Sequence, residues 1–433
     1  MFALRGSLGI AALLLIAWLL SSDRRRFPIR IALAGIGLQF SLALLVLKTS
    51  WGSIAFDYVG EAVTYILAGA DKGAEFVFGP LAGNNPDVAW KAIAGIKIMT
   101  TIITFSTLSA IGYHYGILQA IVVALARLLN RILGVSGAES LSGAANVFLG
   151  QTEAPLLVRP FLAGMTRSEL MAVMTGGFAT IALGVMAVYV AWLGVDADGQ
   201  PDKDRAREVA RHLLTASLMS APAAFVMAKI MVPESQTPAT GAAFSLRLER
   251  EHKNVLDAAT AGASQGMTLA INVLAMLIAF IALIAVINLA LENLGKLQSV
   301  APIVARVGLP DLTLQSLFGW IFSPIAMLLG VERNDSARFG SLLATAMSAN
   351  EMVAYASLRD MLAAKQLEPR SVKMAMYSLC GFANISSMGI QIAGIGSLAP
   401  SRRKDLVELA PRAMLGGAMA SWMTGCIAGM MLE

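Results

Sequence analysis

Charge is what this sequence has least of. Asp, Glu, Lys and Arg make up 14% of its 433 residues, where soluble domains run near 25%. Hydrophobic residues reach 57% and the mean hydropathy is +0.68. These figures exclude an ordinary soluble enzyme and a disordered chain, and they describe a polytopic membrane protein. Cysteine is nearly absent: Cys380 and Cys426 both lie in apolar stretches, which excludes a disulfide framework. The three histidines, His114, His212 and His252, are too far apart for metal-ligand spacing. The net charge of +5 is no nucleic-acid signal. Its basic residues crowd short loops between apolar runs, as at cytoplasmic membrane flanks.

At about 20 residues per span the length admits about eight to eleven crossings, and charge placement selects eight. The expected spans lie near 8–20, 31–47, 91–111, 168–193, 209–231, 263–291, 371–398 and 409–432. The first is not read as a signal peptide, because Arg24, Arg25 and Arg26 follow the apolar run instead of preceding it. They place the N-terminus outside. Residues 50–88 are amphipathic and acidic, with Asp57, Glu61, Asp71, Glu75 and Asp87 against Lys72, which suits an outer interfacial segment. Residues 115–134 carry Arg127 and Arg131 on an apolar helix, which suits the inner surface. Lys229, Arg247, Arg250 and Lys253 mark one inside loop, and Arg402, Arg403 and Lys404 another. The loop at 195–208 mixes four Asp with three bases and votes weakly. Two apolar segments, 139–164 and 334–363, break the alternation as crossings and are expected to be re-entrant hairpins.

An internal repeat connects the hairpins. Arg167-Ser-Glu-Leu-Met-Ala leads to Gly177-Phe-Ala-Thr-Ile181, and Arg370-Ser-Val-Lys-Met-Ala leads to Gly381-Phe-Ala-Asn-Ile385. Upstream of each copy a hairpin carries one central glutamate, Glu153 or Glu351. The spans that follow should run in opposite directions, so the repeat is inverted. Inverted repeats with interrupted helices mark secondary transporters, whose site lies at the repeat interface.

An ionised carboxylate at a helix centre costs roughly 2.5–3.5 kcal/mol on insertion scales. Glu153 and Glu351 therefore need polar partners. Either they recognise sugar-type hydroxyls by charge-assisted hydrogen bonds, or they pair structurally with a buried base or backbone N–H groups. Gln151 and Thr152 stand beside Glu153 between Gly150 and Pro155, two helix breakers. The Gln amide offers a donor and an acceptor together, as a nucleobase edge requires; the alternative is a cap on the second half-helix. Asn384, Ser386 and Ser387 form a second polar cluster, or bond back to their own helix. Phe382 is a candidate to stack on a flat ligand or to pack in the core. Asn146 and Thr180 supply oxygens of the kind hard cations take, with unwound carbonyls beside them.

At these residues the chain resembles the concentrative nucleoside transporter family, from about residue 90 to the C-terminus. The resemblance rests on Gly150-Gln-Thr-Glu-Ala-Pro-Leu156, Gly176-Gly-Phe-Ala-Thr-Ile-Ala182, Asn350-Glu351 followed by Val353-Ala-Tyr355, and Gly381-Phe-Ala-Asn-Ile-Ser-Ser387. Asp257-Ala-Ala, Gly262-Ala-x-x-Gly266, Asn272-Val and Phe322-Ser-Pro-Ile-Ala326 add to it. It implies an all-α polytopic membrane protein with about eight spans and two re-entrant hairpins, assembled as a homotrimer in the bacterial inner membrane and working as an elevator. By the same resemblance, 1–111 are scaffold spans and 112–232 the first repeat of a transport domain. Residues 233–310 are then a cytoplasmic loop and long scaffold span, and 311–433 the second repeat.

By residue match, Gln151 and Thr152 would read the base, with Val185 and Phe382 lining it. Glu351, Asn384 and Ser387 would hold the ribose, with Glu153 supporting the polar network. Sodium would bind the Asn146 and Thr180 side chains and carbonyls near Asn146, Leu149 and Ile181. The implied activity is symport of nucleosides such as uridine with Na⁺, with H⁺ as the alternative coupling ion and no other cofactor. Three departures flank the site: Leu183-Gly184 where relatives often have Gly-Ser, Ala344 and Ala346 in place of Gly and Lys, and Met352 in place of Phe. The rival class, an intramembrane enzyme with Glu153 and Glu351 as acid and base, lacks any accompanying His/Asp cluster, metal motif or phosphate-cradling loop.

Overall fold

A computed structural model of the chain describes residues 2–82, 93–196, 201–240, 252–307, 309 and 311–432. Asp87, Asp198, Arg247 and Arg250, which entered the orientation argument, lie outside the described residues. The described residues are helical throughout, apart from turns and one isolated bridge between Val195 and Pro201.

Three helices come first: α1 (Phe2–Leu19), α2 (Ile29–Lys48) and α3 (Ser50–Phe78). The last is the amphipathic segment. Its small residues Gly52, Gly60, Ala70 and Ala74 are buried, whereas Trp51, Tyr58, Tyr65 and Phe76 are exposed. Asp57 is tied down by Arg211 at 3.2 Å. There follow α4 (Ala94–His114) and the amphipathic α5 (Ile117–Leu133). Gly134 ends α5 in the left-handed region at φ +70°, donating its N–H to the Asn130 carbonyl, a geometry that favours glycine.

The first expected hairpin is α6 (Gly137–Asn146), a break, a 3-10 turn (Ala154–Val158) and the short α7 (Arg159–Leu162). The span after it is two half-helices, α8 (Arg167–Ala179) and α9 (Leu183–Leu193), and then comes α10 (Lys203–Met231). The order then recurs. A long helix α11 (Val255–Gly295) and a short α12 (Ala301–Val307) lead to α13 (Leu314–Leu328). The second hairpin is α14 (Ser336–Ser348) and α15 (Glu351–Ala363), the second interrupted span α16 (Pro369–Ser378) and α17 (Ile385–Leu398), and the last helix α18 (Arg403–Met431). Helix α13 did not emerge from the sequence as an element. At 15 residues it is too short to register as a span, and it takes the place in the second repeat that α5 takes in the first.

Burial divides these helices. The most apolar stretch of α10 is 94% buried and that of the α8–α9 pair 89%, whereas that of α11 is 11% buried. The central elements are therefore α8, α9, α10 and α18, whereas α17 buries only the side that carries Ser387, Gln391, Ile395 and Gly396. Helix α11 has 41 residues, or about 60 Å at 1.5 Å per residue, and exposes Ile271, Ile278, Val286 and Leu289. Its Gly262 and Gly266 lie against the backbone of α4 near Ile103, Ser106 and Thr107, where no larger residue fits.

Each hairpin is pinned at its base, and the two repeats do this differently. In the first, Ser136 and Thr166 open α6 and α8 with capping boxes closed by Glu139 and Glu169. The Ser136 hydroxyl also donates to Glu169 at 2.6 Å, and Lys229 from α10 reaches Glu139 at 2.7 Å and Glu234 at 3.6 Å. In the second, the Arg370 guanidinium donates to the carbonyls of Gly429 and Gly330. The repeat-matched Arg167 is half-exposed and pairs instead with Asp405 and Glu408. Lys229 and Glu139 are almost wholly buried, so removing one partner leaves the other charge uncompensated. Lys229→Ala is predicted to cost about 3–5 kcal/mol, read as a lowered thermal unfolding midpoint in detergent. The double variant Glu139→Gln, Lys229→Met should recover most of it.

Candidate functional site

The helix breaks meet one another at the centre of the described structure. The break in the first hairpin accepts a hydrogen bond from the first interrupted span, Leu183 N–H to the Phe148 carbonyl at 3.1 Å. Ser421 of α18 is within hydrogen-bond distance of carbonyls at the ends of both α8 and α16, Ala179 at 3.3 Å and Cys380 at 2.9 Å. Freed backbone groups at membrane depth are thus satisfied by protein.

One continuous chain of polar groups, side chains linked at one point through the Ser387 backbone N–H, runs through these breaks. Asn350 and Asn384 are the caps that start α15 and α17, each accepting a backbone N–H at 2.8 Å, from Val353 and from Ser387. Capping uses only the Asn384 oxygen. Its Nδ2 donates to Glu351 at 3.0 Å. Glu351, at the first position of α15, is buried and also accepts from the Tyr189 hydroxyl at 3.4 Å. Tyr189 of α9 stacks on Tyr355 of α15, ring centroids 3.9 Å apart and 12° from parallel. On the other side, the Ser387 hydroxyl accepts from the Gln151 amide at 3.2 Å, and the Gln151 oxygen accepts from Gln391 at 3.0 Å. The chain therefore joins both hairpins to both interrupted spans.

Of the expected residues, Gln151, Ser387, Asn384 and Glu351 are brought together in this way. Val185 is buried on α9, one helical turn before Tyr189. Phe382 is half-buried in the break before α17. The Thr152 methyl packs against Gly394 of α17, 3.2 Å from where a Cβ would stand there. Glu153 stands apart from this chain. It is exposed, its carboxylate folded back over Gly150, and it lines a cavity of about 200 Å³ with Ser106, His114, Leu183, Gly184 and Gln265. Its sequence neighbours carried it into the expected network, but the turn at 151–153 points successive side chains in different directions. The Leu183-Gly184 departure borders the same cavity and faces α4. Ala344 and Met352 are buried and Ala346 is half-buried in the second hairpin.

Tyr189 and Gln391 were missed by sequence reasoning. Gln391 had a signal: it follows Asn384 and Ser387 at i+7 and i+4, so all three share one helical face. Tyr189 had a weaker one, its i+4 spacing from Val185.

Two glycines let the elements close. Gly176 lies against Asn146, whose Nδ2 is 3.2 Å from where a Cβ would be. Gly177 lies under Gln391 and Gln151, at 2.8 and 3.0 Å by the same measure. Asn146 is fully buried, and neither atom of its amide has a hydrogen-bond partner. Thr180 donates its only proton to the Gly176 carbonyl at 2.9 Å, which leaves its lone pairs free. Among the described residues no hydrogen bond ends on the Asn146, Leu149 or Ile181 carbonyl. An orphaned buried amide, a free hydroxyl oxygen and open carbonyls fit a hard cation. No cluster of three or more His, Cys, Asp or Glu suited to a metal occurs among the described residues.

Comparison with known proteins decides the class. A family model described as Na⁺ dependent nucleoside transporter C-terminus matches residues 212–429, and its N-terminal counterpart matches 8–81. A nucleoside recognition model matches residues 95–196 between them. The chain belongs to the Na⁺-dependent nucleoside transporter family. It is 39% identical to an uncharacterized transporter of Haemophilus influenzae, over 100% of this chain and 98% of that protein. It is 37% identical to solute carrier family 28 member 3 of Mus musculus, over 98% of this chain and 58% of that longer protein. The solved structure of CNTnw in an inward-facing substrate-bound state matches with a TM-score of 0.88 and 36% identity, covering 100% of this chain and 98% of that one. An outward-facing variant of CNTnw matches at 0.87 and 35%, over 100% and 98%. The fold is that of this family, eight spans and two re-entrant hairpins in an inverted repeat, and the family is one of transporters and not of enzymes. Gly177→Ala would push a methyl into the Gln151–Gln391 pair, and nucleoside affinity is predicted to fall on the order of tenfold. Titration calorimetry on the purified protein checks this; an unchanged Kd would show that the pair has no part in nucleoside binding.

Proposed function

We propose that the protein is a secondary active symporter that imports nucleosides across the cytoplasmic membrane, driven by Na⁺. The observation that carries this reading is the polar chain through the breaks. Gln151, Ser387, Asn384 and Glu351 satisfy one another within the protein, and each offers the group a nucleoside needs. The Gln151 amide and Thr152 read the base, with Val185 and Phe382 as its apolar walls. Glu351, Asn384 and Ser387 accept and donate to ribose hydroxyls, charge-assisted at Glu351. Glu153, exposed toward α4 and α11, meets the nucleoside where it enters or leaves this network. Sodium binds Asn146 and Thr180 with the Leu149 and Ile181 carbonyls.

The burial contrast supports an elevator. The hairpins, interrupted spans, α10 and α18 form the moving body, within 112–232 and 311–433. The helices of 1–111 and the long α11 of 233–310 form the scaffold. Exposed apolar faces on α3 and α11 suit lipid and subunit contacts in a homotrimer with its N-terminus outside, in the inner membrane of a bacterium. One charge crossing ~100 mV yields about 2.3 kcal/mol, which sustains roughly 50-fold accumulation, so one ion per nucleoside is enough. A second reading, H⁺ coupling, is favoured by one observation: the hydrogen-bond donors to buried Glu351 are the neutral side chains Tyr189 and Asn384.

Labelled uridine uptake into proteoliposomes tests both readings. An inward Na⁺ gradient should accelerate uptake over choline. Uptake in choline under an inward proton gradient would transfer the coupling to H⁺, and no uptake under either would overturn nucleoside transport. Glu351→Gln is predicted to weaken uridine binding by about 1.5–3 kcal/mol, the worth of a hydrogen bond to a charged group, while the unfolding midpoint stays near wild type. Unchanged uridine affinity in that variant would remove Glu351 from the ribose site.

A further inference from the structure

Gln391 lies on α17 and is almost fully buried, yet it belongs to none of the expected contacts with a nucleoside. Its Nε2 donates to two oxygens, Gln151 Oε1 at 3.0 Å and the Met174 backbone carbonyl at 3.1 Å. Its own Oε1 is buried with no hydrogen-bond partner. These facts fix more than Gln391 itself.

A side-chain amide can be turned over so that its oxygen and nitrogen exchange places, and only its partners decide the orientation. A backbone carbonyl can only accept. Met174 therefore forces the Gln391 NH2 to face α8, and that NH2 has just two hydrogens. One serves Met174 and the other meets Gln151, which must present its oxygen there. The Gln151 oxygen is thereby consumed inside the protein. Its NH2 is left on the opposite side, where Ser387 takes one hydrogen at 3.2 Å. Turning Gln391 over would place its oxygen against the Met174 carbonyl, two acceptors facing each other. The unpartnered Oε1 follows from holding this orientation. Gly177 makes the arrangement possible, since only a residue without Cβ lets both glutamines lie on the α8 backbone.

We propose that Gln391 is a positioning residue that locks the Gln151 amide with its NH2 toward the ligand, so that the base is selected for an acceptor at that point, a carbonyl-type oxygen, and not for a donor. This rests on the reading of Gln151 as the base-facing residue. Without Gln391 the Gln151 amide turns freely and accommodates either an acceptor or a donor.

The test is competition binding of uridine against cytidine, whose 4-amino group puts a donor where uridine has a carbonyl acceptor. The wild-type protein should disfavour cytidine about tenfold, the worth of one hydrogen bond to a well-placed donor. In Gln391→Leu and Gln391→Met that ratio should fall toward unity, because a freed Gln151 amide turns its oxygen to the amino group, with uridine still bound because the ribose contacts are untouched. A ratio unchanged in both variants overturns the proposal, as does a wild type that binds cytidine like uridine. Loss of all nucleoside binding in both variants, with unfolding midpoints intact, also counts against it. Gln151→Ala separates the two layers. If it leaves the wild-type ratio intact, the base-facing reading of Gln151 fails. If it abolishes the ratio while the Gln391 variants keep it, only the positioning role fails.

Discussion

A polar group cut off from water must find its partner inside the protein, and this chain breaks its helices where that demand is most severe. Each break frees backbone groups and exposes side chains that an unbroken helix would have kept apart. The chain answers by bringing four breaks to one place. Backbone bonds such as Leu183 to Phe148 close part of the account. A continuous series from Tyr189 through Glu351, Asn384, Ser387 and Gln151 to Gln391 closes the rest. The remainder of the structure serves this junction: glycines that allow close approach, asparagine caps that start α15 and α17, and buried ionic or guanidinium pins at the hairpin bases.

That junction is the proposed site, where a transported solute competes. On that reading the groups that satisfy one another within the protein are those that a hydroxylated sugar and a base edge satisfy in their place. Binding then exchanges protein–protein hydrogen bonds for protein–ligand ones and leaves no buried group unmet. The Asn146 amide differs, because nothing in the protein meets it. Fully buried beside open carbonyls, it is the group on which the proposed sodium site rests.

The repeat shows how one architecture tolerates different chemistry. Both copies keep a hairpin, an interrupted span and a long final helix. Their hairpin bases share no pairing: Lys229 with two glutamates in the first, Arg370 on two carbonyls in the second. Even the arginines that align the repeats have separate jobs, Arg167 on an exposed acidic pair and Arg370 on buried backbone. What the repeats have in common is the position of their breaks, which is the part the polar junction needs.

Much of this was legible in the residues. Scarce charge and long apolar runs determine residence in a bilayer, because hydrocarbon tolerates little else. Paired Gly-Phe-Ala motifs, each behind a hairpin with one glutamate, determine the repeat and the family. Asn350 and Asn384 mark where α15 and α17 start, since capping is local. Only the tertiary structure decided which polar groups pair. Gln151 meets Ser387 and Gln391 across 236 and 240 residues, and Tyr189 meets Glu351 across 162. Glu153, two residues from Gln151, turns away into a cavity beside α4. Helical periodicity places a side chain on a face, but the partner of that face is set by how separate helices pack, and no local pattern carries that information.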